Sequence, residues 1–64
     1  MKDINILRRR DVEEKTGLKR AQLYALIKDG KFPTPINLAS RSVGWVESEV
    51  NSWLMTKIKK SRQK

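Results

Sequence analysis

A chain of 64 residues has room for one hydrophobic core, and fifteen Lys and Arg against seven Asp and Glu leave it a net charge of +8. With neither cysteine nor histidine, it lacks disulfides, thiolate or imidazole metal ligands and the usual general base, so no enzyme, metal site or cofactor is expected. One excess positive charge per eight residues points first to nucleic acid and second to an anionic membrane surface.

The membrane reading lacks a suitable segment. Ile4 and Ile6-Leu7 make too short an apolar run for a signal peptide, and nothing in the chain approaches the length of a membrane span. One domain over residues 1–64, remaining in a reducing cytoplasm, is the expectation. In chain order, residues 1–7 read as an extended entry segment that offers Ile4, Ile6 and Leu7 to the core. Arg8 to Thr16 reads as a first helix stopped by Gly17, with Val12 its only large aliphatic residue. Asp11, Glu13 and Glu14 lie in its early turns, where carboxylates complement the positive helix end. Its triplet Arg8-Arg9-Arg10 has two readings, a solvated terminus or positive charge set beside a phosphate backbone.

A second short helix follows between Gly17 and Gly30, after a glycine-containing turn of helix-turn-helix spacing. At about 100° per residue, Leu23, Leu26 and Ile27 share its inner face, and Leu18 packs just before it. Ala21, Tyr24, Ala25 and Lys28 lie outside, while Lys19, Arg20 and Gln22 crowd the amino end. Two outward alanines allow close approach, and no acidic residue occurs from Lys15 to Lys28. Such a slim basic face suits a DNA major groove, which is about 12 Å wide. We read this as a recognition helix; an ordinary solvated surface helix is the plain alternative. Lys19 has no side-chain oxygen with which to cap the helix, but Gln22 is placed to reach back from the third helical position.

Pro33 and Pro35 hold Phe32 to Pro35 out of helical geometry. Ile36–Leu38 and Val43–Trp45 alternate as two short strands around a polar tip, Ala39–Ser42, that carries Arg41. An isolated hairpin is marginal in water, so Trp45 and Phe32 are expected to pin this ribbon to the helices. From Val46 a final helix places Val46, Val50, Trp53, Leu54 and Ile58 on one stripe, read as core, with a dimerisation seam as the minority reading. Ser61 to Lys64 reads as a basic, flexible tail. Because one small core supplies only about 3–5 kcal/mol, both tryptophans, Phe32 and most aliphatics are expected inside. The expected fold is α+β and mainly helical, a winged helix-turn-helix of three helices and a two-stranded β wing.

These residues occur in an order that resembles a known family. Leu7-Arg8-Arg9-Arg10-Asp11-Val12, Thr16-Gly17-Leu18, Leu23-Tyr24, Leu26-Ile27, Gly30, Phe32-Pro33 and Pro35-Ile36 come first. Leu38, Arg41-Ser42-Val43-Gly44-Trp45, Glu49-Val50 and Trp53-Leu54 follow at fixed spacing. The pattern, covering about residues 7–54, is similar to the AlpA family of prophage and genomic-island regulators, related to small phage excisionases and more distantly to the MerR-type winged helix. Lys19 departs from it, since that position is usually Ser in the family; the change removes a cap and adds a charge able to meet a phosphate.

The resemblance implies a DNA-binding protein of a mobile element without catalysis of its own. Such a protein activates an integrase gene, or acts as a recombination directionality factor in excision. It implies functional regions at Arg20, Gln22, Tyr24 and Lys28 and at a wing tip of Ser40, Arg41 and Ser42. Arg20 and Gln22 are then expected at base edges and Ala21 or Ala25 at a thymine methyl, with Lys19, Tyr24 and Lys28 on phosphates. Arg41 is expected in a narrow minor groove. A module this small buries only about 600–1,000 Å² on DNA, so several copies on repeated sites, with integrase as a further partner, are expected. The alternative is a general basic architectural protein without sequence preference. RNA binding would call for more exposed aromatics than Tyr24, and a protein adaptor for an exposed apolar groove with little salt sensitivity.

Overall fold

A computed structural model describes residues 4–63, as β1 (Ile6–Leu7), α1 (Arg9–Thr16), α2 (Arg20–Lys28), β2 (Ile36–Ala39), β3 (Ser42–Val46) and α3 (Glu47–Ser61). The expected α+β, mainly helical winged architecture is present. The sheet, however, has three strands in the order β1-β3-β2, not the two of a simple ribbon. The added strand is Ile6–Leu7, which pairs antiparallel with β3 in the register Ile6↔Val46 and Leu7↔Trp45. A strand of two residues has no room to show alternation, and its partner lies almost forty positions away, so local pattern could not reveal it. The expected entry segment is thus a strand at Ile6–Leu7 and extended at Arg8, while Met1 to Asp3 and Lys64 lie outside the described residues.

Both helices of the pair begin with one device. Arg8 and Lys19 are the N-caps, and neither side chain can accept a hydrogen bond, so only half of a capping box forms. The Arg8 backbone N–H donates to Asp11 Oδ2 at 3.0 Å, and the Lys19 backbone N–H donates to Gln22 Oε1 at 2.9 Å. At the far end of α1 the Thr16 hydroxyl donates to the Val12 carbonyl at 2.7 Å and accepts from the Leu18 N–H at 3.2 Å. This ties the turn to the helix. α2 ends in a full Schellman arrangement: Gly30 takes φ 72°, its N–H reaches the Ile27 carbonyl at 3.0 Å, and the Lys31 N–H reaches Leu26 at 2.8 Å.

The core consists of Val12, Leu23, Phe32, Trp45 and Val50, one from each helix, one from β3 and one from the proline segment. Trp45 is fully buried, and its indole N–H, which would be costly to bury unpaired, donates to the Pro33 carbonyl at 3.0 Å. Phe32 is buried beside it, so the two aromatics hold the hairpin to the helices as expected. Trp53 is only half-buried; Phe32 meets it edge-on at 4.8 Å and its indole N–H donates to the Lys31 carbonyl at 2.7 Å.

Nor are most aliphatics enclosed. Ile4, Ile36, Leu38 and Ile58 are exposed, and from Met55 onward every described residue of α3 and its cap is exposed. The α3 stripe therefore packs only along its first half. The helix runs about 22 Å at 1.5 Å per residue, further than this small core extends. No described helix is long and apolar enough to cross a membrane.

The strand pleat sorts β3 cleanly. Val43 and Trp45 face the helices with Leu7, and Gly44 faces the other way beneath the side chains of Ile6 and Leu38. At the base of the sheet Asn5 and Glu47 are joined twice. The Glu47 N–H donates to the Asn5 carbonyl at 2.8 Å, and Asn5 Nδ2 donates to Glu47 Oε1 at 3.1 Å. The same carboxylate meets Lys15 at 3.7 Å, so the amino end, α1 and the start of α3 converge on one residue.

Candidate nucleic-acid interface

α2 carries the expected basic face, and its helical spacing divides that face into rows. Arg20, Tyr24 and Lys28 recur at i, i+4 and i+8 and form one row. Ala21 and Ala25 form the row beside it, and all five residues are exposed. Leu23 is fully buried beneath, with Leu26 and Ile27 half-buried at its sides, so the helix is fixed by its inner face and bare on its outer one. The two alanines keep the helix low beside the Arg20, Tyr24 and Lys28 row.

Gln22 occupies a different flank. Its Oε1 already accepts the Lys19 N–H at 2.9 Å, which turns that oxygen toward the start of the helix. Bidentate pairing with adenine requires an acceptor and a donor together. In this geometry Gln22 serves as a cap first. Lys19, by lying outside the helix, keeps its ammonium exposed at the amino end.

Four of the eight expected site residues line two hollows. Lys19 and Arg20 line one, at the helix-turn-helix junction, together with Arg10, Glu13 and Glu14 of α1. Tyr24 and Arg41 line the other, together with Arg8, Arg9, Arg10 and Val43. Thus the helix face and the wing tip lie on the same side of the molecule, and Arg10 stands between the two hollows. Tyr24 is anchored by its ring edge against buried Trp45, with centroids 6.5 Å apart. Lys28 is exposed in the last turn of α2 and Ser40 at the hairpin turn, and neither lines a hollow. Ser42 is half-buried opposite Ala39, next to a bulge between Asn37 and Ala39 that bends the wing.

The arginine triplet is the part of this surface that was not assigned from sequence to the site. Only the second of its two readings, charge beside a phosphate backbone, pointed there. The missing information was the β1–β3 pairing. It sends the chain leaving Leu7 toward the Ser42 end of β3, and so brings Arg8 toward the wing. Among the described residues no group of three or more His, Cys, Asp or Glu could hold a metal ion.

The chain is similar to known proteins along most of its length. The family described as Prophage CP4-57 regulatory protein (AlpA) matches residues 5–58. The DNA-binding transcriptional activator AlpA of Escherichia coli (strain K12) is 37% identical over 62 residues, covering 88% of this chain and 89% of that protein. Uncharacterized protein ORF88 of Enterobacteria phage P4 is 38% identical over 52 residues, which are 81% of this chain and 59% of that protein's length.

Proposed function

The chain belongs to the AlpA family of prophage regulatory proteins, and on that premise we propose that it is a sequence-specific double-stranded DNA-binding regulator with no catalytic activity. The observation that carries the proposal is that Tyr24 of α2 and Arg41 of the wing line one hollow, so a duplex lying along α2 meets the wing as well. α2 enters the major groove with the alanine row against the base edges. Arg20, at the amino end, makes the principal contact to guanine, while Lys19, Tyr24 and Lys28 hold phosphates and fix the register. Ser40, Arg41 and Ser42 contact the duplex on the wing side, and Gln22 caps the recognition helix and offers its amide to a base edge.

The targets are the promoter of an integrase gene or the attachment region of a mobile element, in the cytoplasm and on the nucleoid. One module covers little DNA, so several copies on repeated sites, and contact with integrase, complete the proposal. The relative named as a transcriptional activator supports the promoter role. The excision role is the finer alternative that the same surface would serve.

Fluorescence-anisotropy binding to duplexes tiled across the attachment region and the integrase promoter tests this, with scrambled duplexes and a salt series alongside. Preference for one tile is the expected result, and the tile that wins separates the two roles. Equal, salt-sensitive binding to every duplex would reduce the protein to a basic architectural factor, and no binding at moderate salt would end the DNA reading.

A further inference from the structure

We propose that the hollow between α1, α2 and the wing is a seat for one backbone phosphate of the bound duplex, gripped jointly by Arg8 and Arg41. The proposal rests on the DNA-binding reading above and assigns Arg41 to the sugar–phosphate chain in place of a minor groove. Three elements build the hollow, which has a volume of about 280 Å³: the start of α1 supplies Arg8, Arg9 and Arg10, α2 supplies Tyr24, and the wing supplies Arg41 and Val43. Four of the chain's six arginines line it, and no described lysine does. Guanidinium groups present a planar fork that matches two phosphate oxygens, whereas an ammonium acts as a point charge. A site whose charged lining is all arginine therefore favours the shape of an oxyanion as well as its sign.

The charges there are also largely unanswered. Arg9 is paired with Glu13 at 3.1 Å. Among the described residues, Arg8, Arg10 and Arg41 have no carboxylate within 4.0 Å. The nearby Asp11 carboxylate is turned to the Arg8 backbone N–H instead. Like charges gathered around one space repel each other in the free protein, and an anion placed among them relieves that repulsion. Tyr24 and Val43 give the hollow an apolar wall against which a deoxyribose can lie. The Tyr24 ring meets buried Trp45 edge-on, which seats this wall against the core. Helix α2 and the seat share Tyr24, so a strand held in the seat runs beside the recognition helix.

The test uses the full chain, the best tiled duplex, and the variants Arg8→Ala and Arg41→Ala. Arg8 caps α1 through its backbone and Arg41 is exposed at the hairpin turn, so neither substitution touches the core, and circular dichroism checks the fold. Each is expected to weaken binding about tenfold, as for a charge-assisted hydrogen bond, with the ranking of tiles unchanged; Arg62→Ala, outside the hollow, is the control, and any weakening it causes should persist wherever the neutral phosphate below is placed against the seat. The duplex is then remade with a single uncharged methylphosphonate, moved one phosphate at a time. At one position the weakening by Arg8→Ala and that by Arg41→Ala should both vanish, because the charge they share is gone.

Two separate positions would mean two separate phosphates, and no such position would mean that neither arginine meets the backbone; either overturns the seat. Loss of binding in Arg20→Ala with no effect of Arg8→Ala or Arg41→Ala would overturn the seat and leave the DNA reading standing. Inorganic phosphate at matched ionic strength separates the remaining source. If it raises the melting temperature of the wild type but not of the double variant, while no duplex position couples to the arginines, the hollow is a free-anion site and the backbone assignment fails.

Discussion

Arg20 and Gln22 stand two positions apart on α2 and do different work. Arg20 is exposed at the amino end of the helix and lines the turn hollow. Arg20→Ala is expected to cost about 1–3 kcal/mol of binding and to relax preference at one base pair, read by anisotropy on wild-type and singly substituted duplexes, with the melting temperature unchanged. Gln22 is committed to the Lys19 N–H. Gln22→Ala is expected to lower unfolding free energy by about 1 kcal/mol through loss of that half-cap, measured by thermal melts. Gln22→Glu keeps an acceptor at the positive end of the helix and should melt no lower than the wild type. Its added carboxylate should nonetheless weaken DNA binding. Opposite movement of stability and affinity in that one variant separates capping from recognition.

At the scale of elements, most of the fold was legible because the chain punctuates itself. Two glycines bracket α2, a proline pair forbids a helix across 32–35, and a long apolar stripe marks α3. The half-cap from Gln22 could be read from its position alone, and the structure shows it at 2.9 Å. β1 could not be read, since Ile6–Leu7 gains strand character only from pairing with residues 45–46. The convergence of Arg8, Arg9 and Arg10 with Arg41 depends on that same pairing and was illegible for the same reason. Trp53 and Ile58 were placed too deep because a helical stripe records which side of α3 is apolar, not how far along it the core extends.

The sheet yields its own prediction at Gly44. A Cβ there would collide with Ile6 Cγ2 and press on Leu38 Cδ1 at 3.0 Å and the Leu7 carbonyl at 3.2 Å. The first obstacle is a methyl carried on a branched Cβ, close to its own backbone and with little freedom to swing aside. Gly44→Ala should therefore lose about 1–3 kcal/mol in urea unfolding, as overpacked sites do, and loosen the β1–β3 pairing. DNA affinity measured well below the new midpoint should fall as well, because Arg8 takes its place from that pairing.

The whole molecule is drawn out, with principal extents of 44 × 30 × 20 Å and a radius of gyration of 12.4 Å, against about 11 Å for a compact chain of this length. Its core and its charge are thus spread differently: the core gathers where the helices cross the sheet, while cations continue along the exposed second half of α3. Five to seven neutralised phosphates would give a log–log salt slope of about −4 to −6, measured between 50 and 300 mM salt at the preferred duplex. Removing residues 62–64, which include Arg62 and Lys64, should change unfolding free energy by less than about 0.5 kcal/mol, as for surface changes away from any packed feature. The same truncation should weaken every duplex to a similar degree. On the proposed reading, discrimination lies with α2 and the wing, and the truncation should leave the ranking of duplexes unchanged.

The hydrogen bond between Gln22 and Lys19 also governs how such a protein can change its operator over time. Positions 20, 21, 24, 25 and 28 can vary without disturbing any hydrogen bond that holds the helix, so new preferences can be sampled there freely. At position 22, side chains that offer an oxygen to the start of the helix keep the half-cap, and others lose about 1 kcal/mol. A library that randomises these six positions under selection for a new operator should return diverse residues at five of them and a narrower set, led by Gln, at the sixth.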